Sequence, residues 1–145
     1  MSPPRDDNYT VASPLYLNGL VYSLGMDGWF VATDPAAKKN IYKRFLEGHN
    51  RYNRGLFGYC ASLTLAGSHI FITDDVGFTH ILQPGPTFTD GGRNILENLN
   101  LTGQVMCWGG NPGKQEEFYT APWFEGKTLY LRGTDYLYCI RQTPK

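Results

Sequence analysis

A chain of 145 residues is the size of one ordinary domain. Thirteen basic residues offset thirteen acidic ones, so the basic footprint that phosphate neutralisation demands is missing and nucleic acid is excluded as an expected partner. Seventeen glycines, nine prolines, ten tyrosines and eight phenylalanines beside only 18% charged residues favour turns and aromatic strands, which predicts an all-β chain.

The opening Met1-Ser2-Pro3-Pro4-Arg5-Asp6-Asp7 has no apolar stretch of the kind a signal peptide carries, and nothing further along approaches the ~20 apolar residues of a membrane span. The sequence read alone therefore predicts no signal peptide and no direct membrane span. Asn8-Tyr9-Thr10 and Asn100-Leu101-Thr102 match the glycosylation sequon, which carries no weight without export.

The first repeat unit starts at Ala12. A short apolar strand over Leu15–Leu17 runs into a turn at Gly19, a second strand begins Leu20-Val21-Tyr22, and a polar turn at Met26-Asp27-Gly28 leads into Trp29-Phe30-Val31-Ala32. An outer strand follows over Asn40–Leu46, where mixed charge suits an exposed edge. The connection after it, residues 47–59, alternates cationic and aromatic groups. Here His49, Arg51, Tyr52 and Arg54 are candidate binding residues: the arginines could grip a carboxylate or sulfate, and Tyr52, Phe57 or Tyr59 could stack on a sugar or peptide.

The second unit repeats the pattern with a turn at Gly67, a strand at Ile70-Phe71-Ile72, a polar turn at Asp74-Asp75-Val76-Gly77, and a strand over Phe78–Leu82. Its outer strand is expected at Pro86-Thr87-Phe88-Thr89 and beyond. Asp74 and Asp75 are read as turn residues, because neighbouring side chains at a strand end point apart and calcium wants six to eight oxygens. His49, His69 and His80 have no partner at metal-ligand spacing, so no metal site is assigned. An insertion over about 98–117 carries Trp108, a candidate partner anchor. The third unit has its turn at Gly126, strands at Leu129-Tyr130-Leu131 and Tyr136–Ile140, and no outer strand. Cys60, Cys107 and Cys139 form an odd set in no metal spacing and are read as buried small hydrophobes.

The marker glycines are separated by 67 − 19 = 48 and 126 − 67 = 59 residues, close to the roughly 40–50 of a four-stranded propeller blade. The units divide the single domain 1–145 into blades over about 12–46, 59–97 and 118–141.

Ser13-Pro14, Gly19, Val21-Tyr22, Asp27-Gly28 and Ala32-Thr33-Asp34-Pro35 resemble the repeats of the quinoprotein-like (pyrroloquinoline-quinone, PQQ-like) β-propeller family. Pro84–Phe88, Asn94–Glu97 and the ending through Leu137–Ile140 look like the last blades of bacterial members, including proteins similar to the outer-membrane assembly lipoprotein. The resemblance implies a partial propeller of about three four-stranded antiparallel blades. It implies a non-catalytic scaffold or binding module, a C-terminal piece of a larger periplasmic or secreted bacterial propeller. The partner would be a protein or polysaccharide, with further blades or a second copy completing the ring. No catalytic residue or cofactor is assigned. PQQ and calcium enter only under the alternative, a fragment of a quinoprotein dehydrogenase oxidising alcohols or sugars.

Overall fold

The computed structural model describes residues 10–47, 58–96 and 116–141. These residues form eleven strands and no helix. Sheet 1 comprises β1 (Leu15–Leu17), β2 (Leu20–Leu24), β3 (Trp29–Asp34) and β4 (Lys39–Phe45). Sheet 2 comprises β5 (Thr64–Ala66), β6 (His69–Thr73), β7 (Phe78–Gln83) and β8 (Thr89–Ile95), and sheet 3 comprises β9 (Trp123–Glu125), β10 (Thr128–Arg132) and β11 (Leu137–Arg141). Every strand pairs antiparallel with its neighbour in sequence, so each sheet is a meander. Local turn chemistry is thus enough to set the pairing. At the β1–β2 hairpin Asn18 and Gly19 both take positive φ, the backbone that a two-residue loop matched to strand twist needs.

Three sheets of near-identical register stack face to face. Directly opposed residues share a face. Tyr22 pairs with Ala32 and Leu24 with Phe30, and this face of sheet 1 packs on Ile70, Ile72 and Leu82 of sheet 2 in one buried cluster. Phe88, in the turn before β8, closes the outer side of the seam against Phe30 and Tyr42, with ring centroids 6.4 and 5.9 Å apart. The Tyr22 hydroxyl accepts a 2.9 Å hydrogen bond from the Gly85 N–H, which ties the β7–β8 turn to the neighbouring sheet. The second seam is aromatic and polar. Phe71 and Phe124 lie 4.6 Å apart, the Thr64 hydroxyl donates to the Pro122 carbonyl at 2.9 Å, and the buried Thr73 and Thr79 hydroxyls pair at 2.9 Å.

Three details differ from the sequence expectation. The outer strand of sheet 2 starts at Thr89, because Pro86 lies in the preceding turn, where its missing N–H removes no ladder bond. The first outer strand ends at Phe45, and Leu46 turns inward to become buried. The cysteines are not buried hydrophobes: Cys60 is half-buried and Cys139 is exposed, since its position on β11 faces away from sheet 2. Cys107 lies outside the described residues.

Phe30 is 1% exposed and touches three aromatic rings, so Phe30→Ala should cost about 3–5 kcal/mol in denaturant unfolding. Tyr22→Phe, which removes only the bond to Gly85, should cost about 1 kcal/mol.

Candidate functional site

At one end of the stack, the turns joining the second and third strands of each sheet meet the connections between sheets. Each turn closes in the same way. Gly25, Asp74 and Gly133 donate their N–H to the carbonyls of Trp29, Phe78 and Tyr136, at 2.9, 2.9 and 2.8 Å. Each turn also holds a carboxylate against its backbone N–H groups, and the carboxylate comes from a different place each time. In sheet 2 it is Asp74, whose Oδ1 accepts from Val76 at 3.1 Å and Phe78 at 2.7 Å. In sheet 1 the matching position is Gly25, and Asp27 Oδ1 accepts from Trp29 at 3.3 Å; a Cβ on Gly25 would collide with that oxygen. In sheet 3 the position is Gly133, and Glu116 reaches in from the connection to accept from Tyr136 at 3.0 Å, filling the space a Cβ on Gly133 would need. Either glycine makes room for a carboxylate supplied from elsewhere.

The connections are pinned to these turns. Tyr59 N–H donates to the Met26 carbonyl (3.3 Å), and at the equivalent place in the next sheet Phe118 N–H donates to Asp75 (2.9 Å). Asp75 N–H donates in turn to Gly58 at 2.8 Å, so this one residue is tied to the connections on both sides of sheet 2. Its side chain is buried. Burial, then the negative charges of Asp74 and Glu117, raise its carboxyl from 3.8 to about 7, against a hydrogen bond from its own backbone N–H.

His80 occupies the face of β7 that meets sheet 1 and is 1% exposed. Its Nε2 lies 2.9 Å from the Tyr59 hydroxyl, which itself reaches the Leu46 carbonyl at 3.4 Å. Burial, reinforced by Arg93, lowers the imidazole from 6.5 to about 4, against Asp90 and a hydrogen bond to the Glu47 carbonyl. The ring is therefore neutral at physiological pH. The same two positions in sheet 3 hold Phe118 and Tyr138, with ring centroids 5.5 Å apart. Burial also raises the Tyr59 phenol, so that hydroxyl stays protonated.

Beside Tyr59, a cleft of about 290 Å³ is lined by Met26, Asp27, Phe45, Leu46, Glu47, Gly58 and Tyr59. Its volume lies at the bottom of the range usual for small-molecule sites.

No family model matches the sequence, and no curated protein matches it. The solved structures do give a match. The chain superposes on the crystal structure of BamB from Moraxella catarrhalis with a TM-score of 0.62 at 16% identity, over 91% of this chain and 37% of that one. The fold is part of a β-propeller. The three sheets are blades, and the chain spans little more than a third of the length of the BamB chain it matches.

The sequence candidates His49, Arg51, Tyr52, Arg54 and Trp108 lie outside the described residues, as do Phe57 and the two sequons. Tyr59, expected to be available for stacking, is 3% exposed and faces His80 instead, because its N–H and hydroxyl are both drawn into the seam. Asp74 is a turn residue, as expected. The role of Asp75 and the pairing of His80 with Tyr59 were invisible in sequence, since both depend on contacts across a blade seam.

Asp74→Ala removes a buried acceptor of two N–H groups and should cost about 2–4 kcal/mol, whereas Glu116→Ala at the partly exposed third turn should cost about 1 kcal/mol or less, compared by thermal and denaturant unfolding. The two buried titrating groups act in opposite directions. The unfolded chain loses the Asp75 proton near 3.8 and the folded chain near 7, so this group's contribution is fully present below about 4 and is lost as pH rises to 7. The unfolded chain protonates His80 near 6.5 and the folded chain only near 4, so stability falls as pH drops through that window. Asp75→Asn should therefore gain on the order of 2–3 kcal/mol at pH 8 and leave a stability curve that declines from pH 6.5 to 4. His80→Gln should leave one that rises over the same acid range; unchanged slopes in unfolding curves across pH 4–8 would contradict both assignments.

Proposed function

We propose that this chain is a non-catalytic scaffold or binding module of the PQQ-like repeat family, contributing three blades to a larger exported bacterial propeller whose partner is a protein or a polysaccharide. One observation carries the reading: four acidic groups of the turn face are committed to the fold. Asp27, Asp74 and Glu116 each accept from the backbone of a turn, and Asp75 is buried with its proton retained to about neutral pH. Among the described residues, no three His, Cys, Asp or Glu side chains come together as a metal site. What remains accessible at this face is a small cleft and the connections between blades, surfaces suited to recognition. The structural likeness to BamB supports the propeller fold of these blades.

Titration with PQQ and calcium, followed by dye reduction with alcohols or sugars, separates this reading from the dehydrogenase alternative. The scaffold reading expects no change in quinone absorbance and no turnover, and saturable quinone binding with turnover would overturn it. A photo-crosslinker placed at Glu47, on the cleft rim, should capture one specific partner, and a Phe45→Glu change on the same rim should abolish that capture.

A further inference from the structure

The two connections between blades are seated on equivalent residues of different chemistry. Tyr59 N–H donates to the carbonyl of Met26 and Phe118 N–H to that of Asp75, in each case the second residue of the turn that closes the preceding blade. The first seat is an apolar side chain with no proton to lose. The second is a carboxyl in a residue only 6% exposed, and its own N–H is tied to the Gly58 carbonyl on the opposite side. Whatever displaces Asp75 therefore acts on a hydrogen bond that holds blade 2 to the chain leading into blade 3.

The charges around Asp75 differ in their freedom to move. Asp74, on the same turn, is 1% exposed and held by the Val76 and Phe78 N–H groups. Glu116 is turned toward the Asp135 and Tyr136 N–H groups of the third turn. Glu117 sits on the connection itself, is half-buried, and takes a hydrogen bond from the Tyr119 hydroxyl. On the blade 1 side stand Tyr59, protonated, His80, neutral above its acid range, and Arg93, whose charge reaches both of them. Among the described residues, no Lys or Arg pairs with Asp75. A negative charge on Asp75 would thus lie in a dry site between one fixed carboxylate and one on a segment that can move away, and moving Glu117 pulls directly on the Phe118 N–H beside it.

We propose that Asp75 is a proton-controlled latch: with its carboxyl protonated it holds the connection over residues 116–120 on the turn of blade 2, and loss of that proton releases the connection while the blades stay folded. Opened, the carboxyl meets water and loses its proton near the ordinary 3.8; closed, it does so near 7. Opening is therefore favoured as pH rises from about 4 to 7, by at most about tenfold per pH unit, and changes little above that. The turn face gains a closed acidic form and an open neutral one. The latch is a property of the fold and does not depend on what the propeller binds.

The test is amide hydrogen exchange on the full chain, read by NMR between pH 5 and 7 and corrected for the intrinsic pH dependence of exchange. Protection of the Phe118 amide should fall by about tenfold or more over this range, while the Tyr59 amide, seated on Met26, should change by less than about threefold. In Asp75→Asn, which has no proton to lose there, the Phe118 amide should stay as protected at pH 7 as at pH 5. A measurement on the unsubstituted protein guards against a variant that folds poorly: the Asp75 carboxyl carbon should titrate near 7. Equal changes at the Phe118 and Tyr59 amides would mean a general loosening and overturn the latch. A fall in Asp75→Asn as large as in the parent protein overturns it too, as does an Asp75 carboxyl that titrates near 4.

Discussion

A carboxylate seated against the N–H groups of a tight turn recurs at the same end of all three blades, and the stack is organised around it. The turn brings the second and third strands of the blade together and leaves its carbonyls pointing at the next connection, where Tyr59 and Phe118 donate to them. Holding the turn closed therefore also sets where the following blade begins. That the charge comes from Asp27, Asp74 or Glu116 shows that the fold demands a negative acceptor at a point in space, whichever residue supplies it. Gly25 and Gly133 are the consequence of supplying it from elsewhere.

The two seams satisfy the same geometry with different chemistry. Between blades 1 and 2, Tyr59 and His80 meet by a hydrogen bond; between blades 2 and 3, Phe118 and Tyr138 meet as rings. A buried imidazole costs desolvation that an aromatic pair avoids, and it persists here because the Tyr59 hydroxyl and the Glu47 carbonyl satisfy it while it is neutral. Asp75 follows the same rule from the acidic side: buried beside Asp74 and Glu117, it is best accommodated with its proton on. Because the two groups respond to pH with opposite sign, their contributions to stability oppose each other between about pH 4 and 6.5.

The outer strands serve another purpose. β4 and β8 are largely exposed, and their cations lie over the rings at the start of the third strands, shielding aromatic surface that would otherwise meet water. Among the described residues, no outer strand lies over the corresponding ring of blade 3, Tyr136.

Much of the fold was legible in the sequence. The recurrence of an apolar strand, a glycine turn, a second strand and an Asp-Gly turn is local information, and a meander needs nothing else to choose its strand partners. The cysteine reading failed because which face of β11 is covered depends on the neighbouring blade, and that is not a local property. The candidate site was legible only in part: Asp74 announces itself as a turn residue, but Asp27, Asp74 and Glu116 occupy one role at three unrelated places in the repeat, and no spacing rule relates them. By itself, then, the sequence determined the strands, their order and the all-β architecture, because these follow from periodicity and turn chemistry within each unit. Only the tertiary structure decided which polar groups lie in the seams and how Asp75 and His80 hold their protons, because each of these depends on how far the blades exclude water from one another.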